Sequence, residues 1–266
     1  MVDAGENLDG YVVDREAGRG GHATVYRAHA ALRPDQPVAL KVLGEGHRCP
    51  AELGRLGREF EFANRLSHPH IVTMYEHGPY WLAMQFVDGG KSTRLQRLDD
   101  RLAALAQIAD ALDYAHLCGI VHSDVKPANI LIAEDFSDAG ACLIDFGVAH
   151  AVVDDVFRRP KDLQASLPYA APEVLRGQAP SAATDEYGLA CSAVELLTGA
   201  PPFAAETSTE LVDAHLRGVP PQISRNVSWA SRAFDNVVAR AMARDPERRY
   251  QSCTEFVENV TRAIDG

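Results

Sequence analysis

The sequence predicts an α+β chain in two lobes, strand-rich first and mainly helical after residue 88. Three observations carry this. Four short β-prone runs crowd the first 87 residues, helical periodicity takes over after the Asp88-Gly89-Gly90 turn, and the composition is that of an ordinary globular protein. The 266 residues are 46% apolar and 24% charged, which excludes a disordered, collagen-like or membrane-embedded chain. At one domain per roughly 100–200 residues, the length fits one large domain or two packed lobes.

In the first lobe, placed over residues 11–87, the strands are Tyr11 to Val13, Val25 to Ala28, Val38 to Val42 and Trp81 to Phe86, with Gly and Pro between them. One helix interrupts them, from Pro50, a residue suited to the first helical turn, to Leu66. Leu53, Leu56, Phe60 and Ala63 recur along it at helical spacing, and Ser67-His68-Pro69 stops it.

The second lobe, residues 88–266, opens with a stripe of Leu102, Leu105, Ile108, Leu112 and Ala115 that ends at Gly119. Further helices are expected over Asp185 to Leu197, closed by Gly199, over Trp229 to Arg244 and over Thr254 to Ile264. Short strands at Ile130 to Ile132 and Cys142 to Ile144 precede them. No internal repeat or low-complexity linker divides the chain.

Thirty-seven acidic against 26 basic side chains leave a net charge of −11, which argues against nucleic acid or an anionic membrane as partner. No apolar run approaches the ~20 residues of a spanning helix, and the first residues lack a basic and apolar leader, so the expected location is the cytoplasm. The five cysteines, Cys49, Cys118, Cys142, Cys191 and Cys253, never pair as C-x-x-C and read as reduced, mostly buried small hydrophobes. The histidines show no i, i+4 pair, so a metalloenzyme built on His and Cys is not expected.

Chemistry enters with Gly18-Arg19-Gly20-Gly21-His22-Ala23-Thr24-Val25. Alone it reads equally as a tight hairpin. Lying between two strands rather than opening a helix, it favours a loop whose backbone N–H groups cover phosphates over a dinucleotide-binding crossover. Lys41 closes an apolar strand, where an ammonium needs a partner. At ~100° per residue, Glu59 falls on the inward side of the helix with Leu56 and Ala63, while Glu61 turns to solvent. A surface ion pair is the plainer alternative for Lys41 and Glu59.

His122-Ser123-Asp124-Val125-Lys126-Pro127-Ala128-Asn129 is far more specific. An Asp to orient and deprotonate a hydroxyl, a Lys two residues on for phosphate charge and an Asn five residues on for a metal make a compact phosphoryl-transfer loop. Asp145-Phe146-Gly147 follows, its carboxylate suited to a hard cation.

With these motifs the chain resembles the eukaryotic-like (Hanks-type) Ser/Thr protein kinases from about Tyr11 to Ala263. Ala171-Pro172-Glu173, Asp185 with Tyr187-Gly188, and Arg249 extend the match, and Asp245 to Gln251 looks like actinobacterial members. The resemblance implies a bilobal protein-kinase fold, a β-rich N-lobe with one regulatory helix and a mainly helical C-lobe. It implies that Lys41 and Glu59 position ATP, that Asp124 is the catalytic base, that Lys126 assists the γ-phosphate and that Asn129 and Asp145 bind Mg²⁺ or Mn²⁺. Gly18, Gly20, Val25, Ala39, Lys41, Gln85 and Val87 would contact ATP, the last two through backbone groups beside a gatekeeper Met84. Phe146 and His122 would pack, and Glu173 would pair with Arg249. Partners are a protein substrate and ATP; a homodimer or a regulatory protein stays open.

Two departures bear on control. Ser123 stands where many members carry the arginine that grips a phosphate on the activation segment. Between Gly147 and Pro168 there is no Thr or Tyr, and the one hydroxyl is Ser166, at the substrate-docking end. Activity independent of activation-segment phosphorylation is the expectation, with a nucleotide-binding scaffold of weak or no transfer as the alternative. A small-molecule phosphotransferase fits the Ala-Pro-Glu segment and Arg249 less well. The Arg158-Arg159-Pro160-Lys161 cluster reads as a solvated loop or, less simply, a site for an acidic partner.

Overall fold

The computed structural model describes residues 2–147, 149–151 and 166–265. The Arg158 to Lys161 cluster lies outside the described residues. The N-terminal part is a six-stranded antiparallel sheet of β1 (Asn7–Leu8), β2 (Tyr11–Arg19), β3 (Ala23–Ala30), β4 (Arg33–Leu43), β5 (Met74–His77) and β6 (Trp81–Gln85), in the order β1-β2-β3-β4-β6-β5, with α1 (Pro50–Asn64) packed beside it. Pro50 occupies the first turn of α1, where its missing N–H costs nothing. The helix buries Leu56, Glu59, Phe62 and Ala63, so an acidic residue shares the apolar stripe, while Glu61 is exposed.

The C-terminal part is mainly helical: α2 (Leu98–Leu117), α3 (Phe136–Ala139), α4 (Pro172–Leu175), α5 (Ala182–Thr198), α6 (Ser208–Arg217), α7 (Arg232–Ala241) and α8 (Cys253–Asp265). Between β7 (Gly90–Lys91) and α4 run the short strands β8 (Ile120–Val121), β9 (Ile130–Ile132), β10 (Ala141–Leu143) and β11 (His150–Ala151), with sheet orders β10-β9-β7 and β11-β8. Helix α5 is the axis of this half. Nearly every residue from Thr184 to Leu197 is buried, its start carries a reciprocal Ser181–Thr184 cap, and it ends on Gly199 at φ 89°, a left-handed conformation that glycine adopts without strain.

The element boundaries move by a few residues from expectation. The helix expected to reach Leu66 ends at Asn64, that expected over Trp229 to Arg244 spans Arg232–Ala241, and β3 and β2 are longer than their β-prone cores. Among the described residues, eight elements are additional: the strands β1, β5, β7, β8 and β11 and the helices α3, α4 and α6. Of the cysteines, Cys142, Cys191 and Cys253 are buried and Cys49 is exposed, all as free thiols, and burial pushes Cys142 up to about 12. Asp113, His116 and Cys253 lie close enough to share a metal ion, yet their polar atoms already serve the fold. Asp113 accepts the Cys253 and Thr254 N–H groups at the start of α8, and His116 Nε2 bonds Asp185. Among the described residues no helix is long and apolar enough to cross a membrane.

Candidate active site

The site lies between the two halves, in a cavity of about 500 Å³ walled by the 20–25 hairpin, α1, the 123–126 loop and the 166–171 turn. Lys41 comes from β4, where it pairs in register with Leu82 of β6. Its Nζ donates to both carboxylate oxygens of Glu59 at 2.7 Å and lies 3.4 Å from Asp145 Oδ1. Burial by itself disfavours the ammonium, but Asp145 and Glu59 outweigh it and hold Lys41 above its ordinary range. Burial likewise works against an ionised Asp145, yet Lys41, Arg55 and His122 hold that carboxyl well below the usual carboxylate range. Glu59, only 2% exposed, is raised by burial.

The loop carrying Asp124 is strained and tied down. Ser123 has φ 66°, as has Asp145, in a region that side chains with a Cβ rarely occupy. Asp185, 1% exposed on α5, accepts the backbone N–H groups of His122 and Ser123 at 2.8 and 2.7 Å, which over-determines the turn. Asp124 Oδ2 accepts from Lys126 Nζ at 2.7 Å and from Asn129 Nδ2 at 3.1 Å. Asn129 Nδ2 also donates to the Asp124 carbonyl, so the amide nitrogen is committed to the loop and the carbonyl oxygen is the end left for a cation. The Ile144 N–H donates to the Asn129 backbone carbonyl at 3.0 Å, which joins this loop to the strand end that leads into Asp145, and a side-chain carbonyl and a carboxylate are oxygen donors that could hold Mg²⁺ or Mn²⁺. His122 and Phe146 pack edge to face, 4.7 Å between ring centroids.

Gly20, Val25, Lys41, Glu59, Asp124, Lys126 and Asp145 line the cavity. Gly18, Ala39, Gln85, Val87 and Asn129 do not. Gly18 is held in β2 opposite Val25, and Ala39 is buried in β4 opposite Met84, which does reach the cavity. Gln85 ends β6 with its side-chain oxygen accepting from the Thr73 N–H, and Val87 packs against the core.

Three residues not assigned a place in the site by sequence reasoning belong to it. Ser166 Oγ accepts from Lys126 Nζ at 2.8 Å, which puts this hydroxyl inside the Asp124 cluster. Arg55, one turn before Glu59 on α1, comes close enough that a Cβ on Gly147 would meet its Nε at 3.1 Å, Asp145 Oδ1 at 3.1 Å and Glu59 Oε2 at 3.4 Å. His22, at the hairpin tip, lies 3.5 Å from Glu52 Oε2 and against the His47 ring. The i, i+4 spacing of Arg55 and Glu59 was readable; the other two contacts join segments whose meeting no local pattern signals.

The protein kinase domain family model matches residues 11–260. The serine/threonine-protein kinase PknJ of Mycobacterium tuberculosis is 41% identical over 280 residues, covering 100% of this chain and 47% of that protein. PknF of the same organism is 37% identical over 98% of this chain and 58% of its own length. The chain thus spans about half the length of the curated relatives it matches. A crystal structure of the Mycobacterium tuberculosis PknI kinase domain superposes with a TM-score of 0.75 at 32% identity, covering 99% of both chains.

Proposed function

This chain belongs to the protein kinase domain family, and on that premise we propose that it is an ATP-dependent protein serine/threonine kinase whose activity does not rely on phosphorylation of the activation segment. The observation that carries the reading is the convergence on one cavity of the Lys41–Glu59–Asp145 charge cluster and the Asp124–Lys126–Ser166 hydrogen-bond cluster.

Asp124 is the proton acceptor. Lys126 and Asn129 both donate to its Oδ2, which fixes the carboxylate and leaves Oδ1 to receive the proton of a serine or threonine hydroxyl. The freed oxygen forms a bond to the γ-phosphorus as the bond from that phosphorus to ADP breaks, and the proton stays on Asp124. Lys41, kept charged by its two carboxylate neighbours, takes the α- and β-phosphates, and Lys126 balances charge on the γ-phosphate. Asn129 and Asp145 would hold Mg²⁺, which when bound neutralises the triphosphate. Glu59 fixes the lysine, and the hairpin with Gly18 and Gly20 covers the phosphates.

The control reading rests on Ser123. A serine hydroxyl offers one neutral donor where guanidinium offers five N–H groups and a charge, so a phosphate on the segment gains little from it. Its Oγ is buried without a hydrogen-bond partner among the described residues. Ser166 is engaged by Lys126, and a phosphate there would place negative charge where a substrate hydroxyl has to sit. Order in the segment would then come from packing around Leu163 and Leu167, from Arg158 and Arg159, or from a partner protein; Leu167 is buried, while Leu163, Arg158 and Arg159 lie outside the described residues.

The test is transfer of radiolabelled phosphate from ATP to the chain itself and to a generic basic protein, with Asp124→Asn as control. Label in the wild type and none in the variant supports the reading. Nucleotide binding without transfer in either would replace it with a scaffold.

A further inference from the structure

The one buried residue of α6 is not an apolar side chain but His215, 2% exposed. The helix packs against α4 and the Leu167–Tyr169 turn, beside the Asp124 cluster. The His215 ring lies edge-on to Phe203 at 5.0 Å, and its Nδ1 is 2.8 Å from the Tyr187 hydroxyl. Its Nε2 is buried and makes no hydrogen bond of ordinary geometry among the described residues. A buried polar atom without a partner is costly, and such groups call for an explanation.

The remaining group acting on the ring is the Pro168 backbone carbonyl, which favours its protonated form. A carbonyl can only accept, so the nitrogen turned to it carries a proton. Burial lowers the imidazolium to about 4, so at neutral pH the ring has one proton; with Nδ1 taken by the Tyr187 hydroxyl, Nε2 is the nitrogen left for that carbonyl, and the tautomer inferred here has its proton on Nε2 and Nδ1 accepting from Tyr187. Pro168 sits between two pinned residues. Ser166 is bonded to Lys126, and the Tyr169 hydroxyl donates to Glu195 at 2.6 Å. On the other side, the Tyr187 ring lies under the Arg249 guanidinium, 4.9 Å away, and Arg249 pairs with Glu173.

We propose that His215 is a positioning residue for the protein substrate: its Nε2–H is held in reserve for the Pro168 carbonyl, and that bond closes when an acceptor loads the 166–169 turn. This rests on the kinase reading above. Hydrogen bonds around a catalytic centre are commonly loose before substrate binds and tighten afterwards. Pro168 has no N–H, so its carbonyl is the only backbone handle at that position.

The experiment uses the whole chain with Mg-ATP and myelin basic protein as acceptor. His215→Asn keeps an acceptor near Nδ1 for Tyr187 and loses the Nε2 donor, His215→Phe keeps the ring packing and loses both nitrogens, and His215→Gln restores a donor near Nε2. The Asn and Phe variants should raise the acceptor KM roughly tenfold with the ATP KM unchanged, and the Gln variant should stay near wild type. Amide exchange across residues 167–170, measured with and without acceptor, should be faster in the Asn variant than in the Gln variant. Acceptor KM values within about twofold of wild type in the Asn and Phe variants, or ATP and acceptor KM rising together, would overturn the proposal. If the wild type transfers no phosphate, the kinase reading fails by itself. Exchange at the turn then decides whether the His215 anchor stands, and equal rates in all variants would remove it.

Discussion

Arg249 and Glu173 meet fork to fork in the interior: Nη1 donates to Oε1 and Nη2 to Oε2, each at 2.8 Å, with side-chain exposures of 0% and 4%. Arg249 Nη1 also donates to the Ala183 carbonyl and Nε to the Ala243 carbonyl. Thr184 Oγ1 donates to Glu173 Oε1, so the carboxylate end of the segment, the start of α5 and the turn after α7 are joined in one network.

Removing one partner strands a buried charge. Arg249→Ala is expected to cost about 3–5 kcal/mol in a denaturant titration, whereas replacing both residues by apolar ones of similar volume should cost much less. A single-variant loss within measurement error would mean that the pair does not hold the fold.

For Lys41→Met the expectation is loss of transfer by at least two orders of magnitude, together with a stability cost of roughly 1–3 kcal/mol. The cost arises because Glu59, already raised by burial, keeps its place without its cation and must take up a proton. Adding Glu59→Gln should recover most of the stability and none of the activity. Melting curves of the two variants check this.

Metal dependence follows from the donor pair. Asp145→Asn should abolish transfer while leaving the fold intact, and chelation of divalent cations should abolish it in the wild type, reversibly on adding Mg²⁺. Near wild-type activity of that variant would move the metal away from Asp145.

Control is open to a direct measurement. Protein treated with phosphatase, shown by mass spectrometry to be unmodified over residues 147–173, should keep its transfer rate. Loss of activity on treatment, restored by phosphate on this segment, would contradict the role given to Ser123.

Acid should act through His215. Its folded pKa of about 4 lies below the unfolded value near 6.5, so the neutral ring stabilises the fold above about pH 6.5. As pH falls through about 4 that contribution is lost, a difference on the order of 2–3 kcal/mol. Between pH 7 and 4 the stability of His215→Phe should therefore fall less than that of the wild type.

Periodicity reached the elements that bury a continuous stripe and missed those that do not. Helix α6 buries one residue, a histidine, so no apolar repeat marks it, although the Thr207-x-x-Glu210 cap at its start was there to be read. Strand β5 buries only Met74 and exposes Tyr75, Glu76 and His77, as an edge strand can, and so lacks alternation. Glu59 was legible because it sits on the inward face of a helix that repeats regularly, and the structure buries it there with Leu56 and Ala63.

The sequence by itself determined which groups are present for the chemistry, because the Asp124 to Asn129 loop and the Asp145 turn are local spacings that backbone geometry carries wherever they occur. Their meeting was decided by tertiary structure alone. Lys41 and Asp145 are 104 positions apart, and Glu173 and Arg249 are 76 apart. Ser123 and Asp145 hold left-handed backbones that their own side chains disfavour, and for Ser123 a buried carboxylate on a distant helix supplies the compensating bonds. Whether Ser166 touches Lys126, or His215 meets the Tyr187 hydroxyl, depends on how α5 and α6 pack against the 166–169 turn. That packing follows from burial summed over the whole core, which no short window of sequence contains.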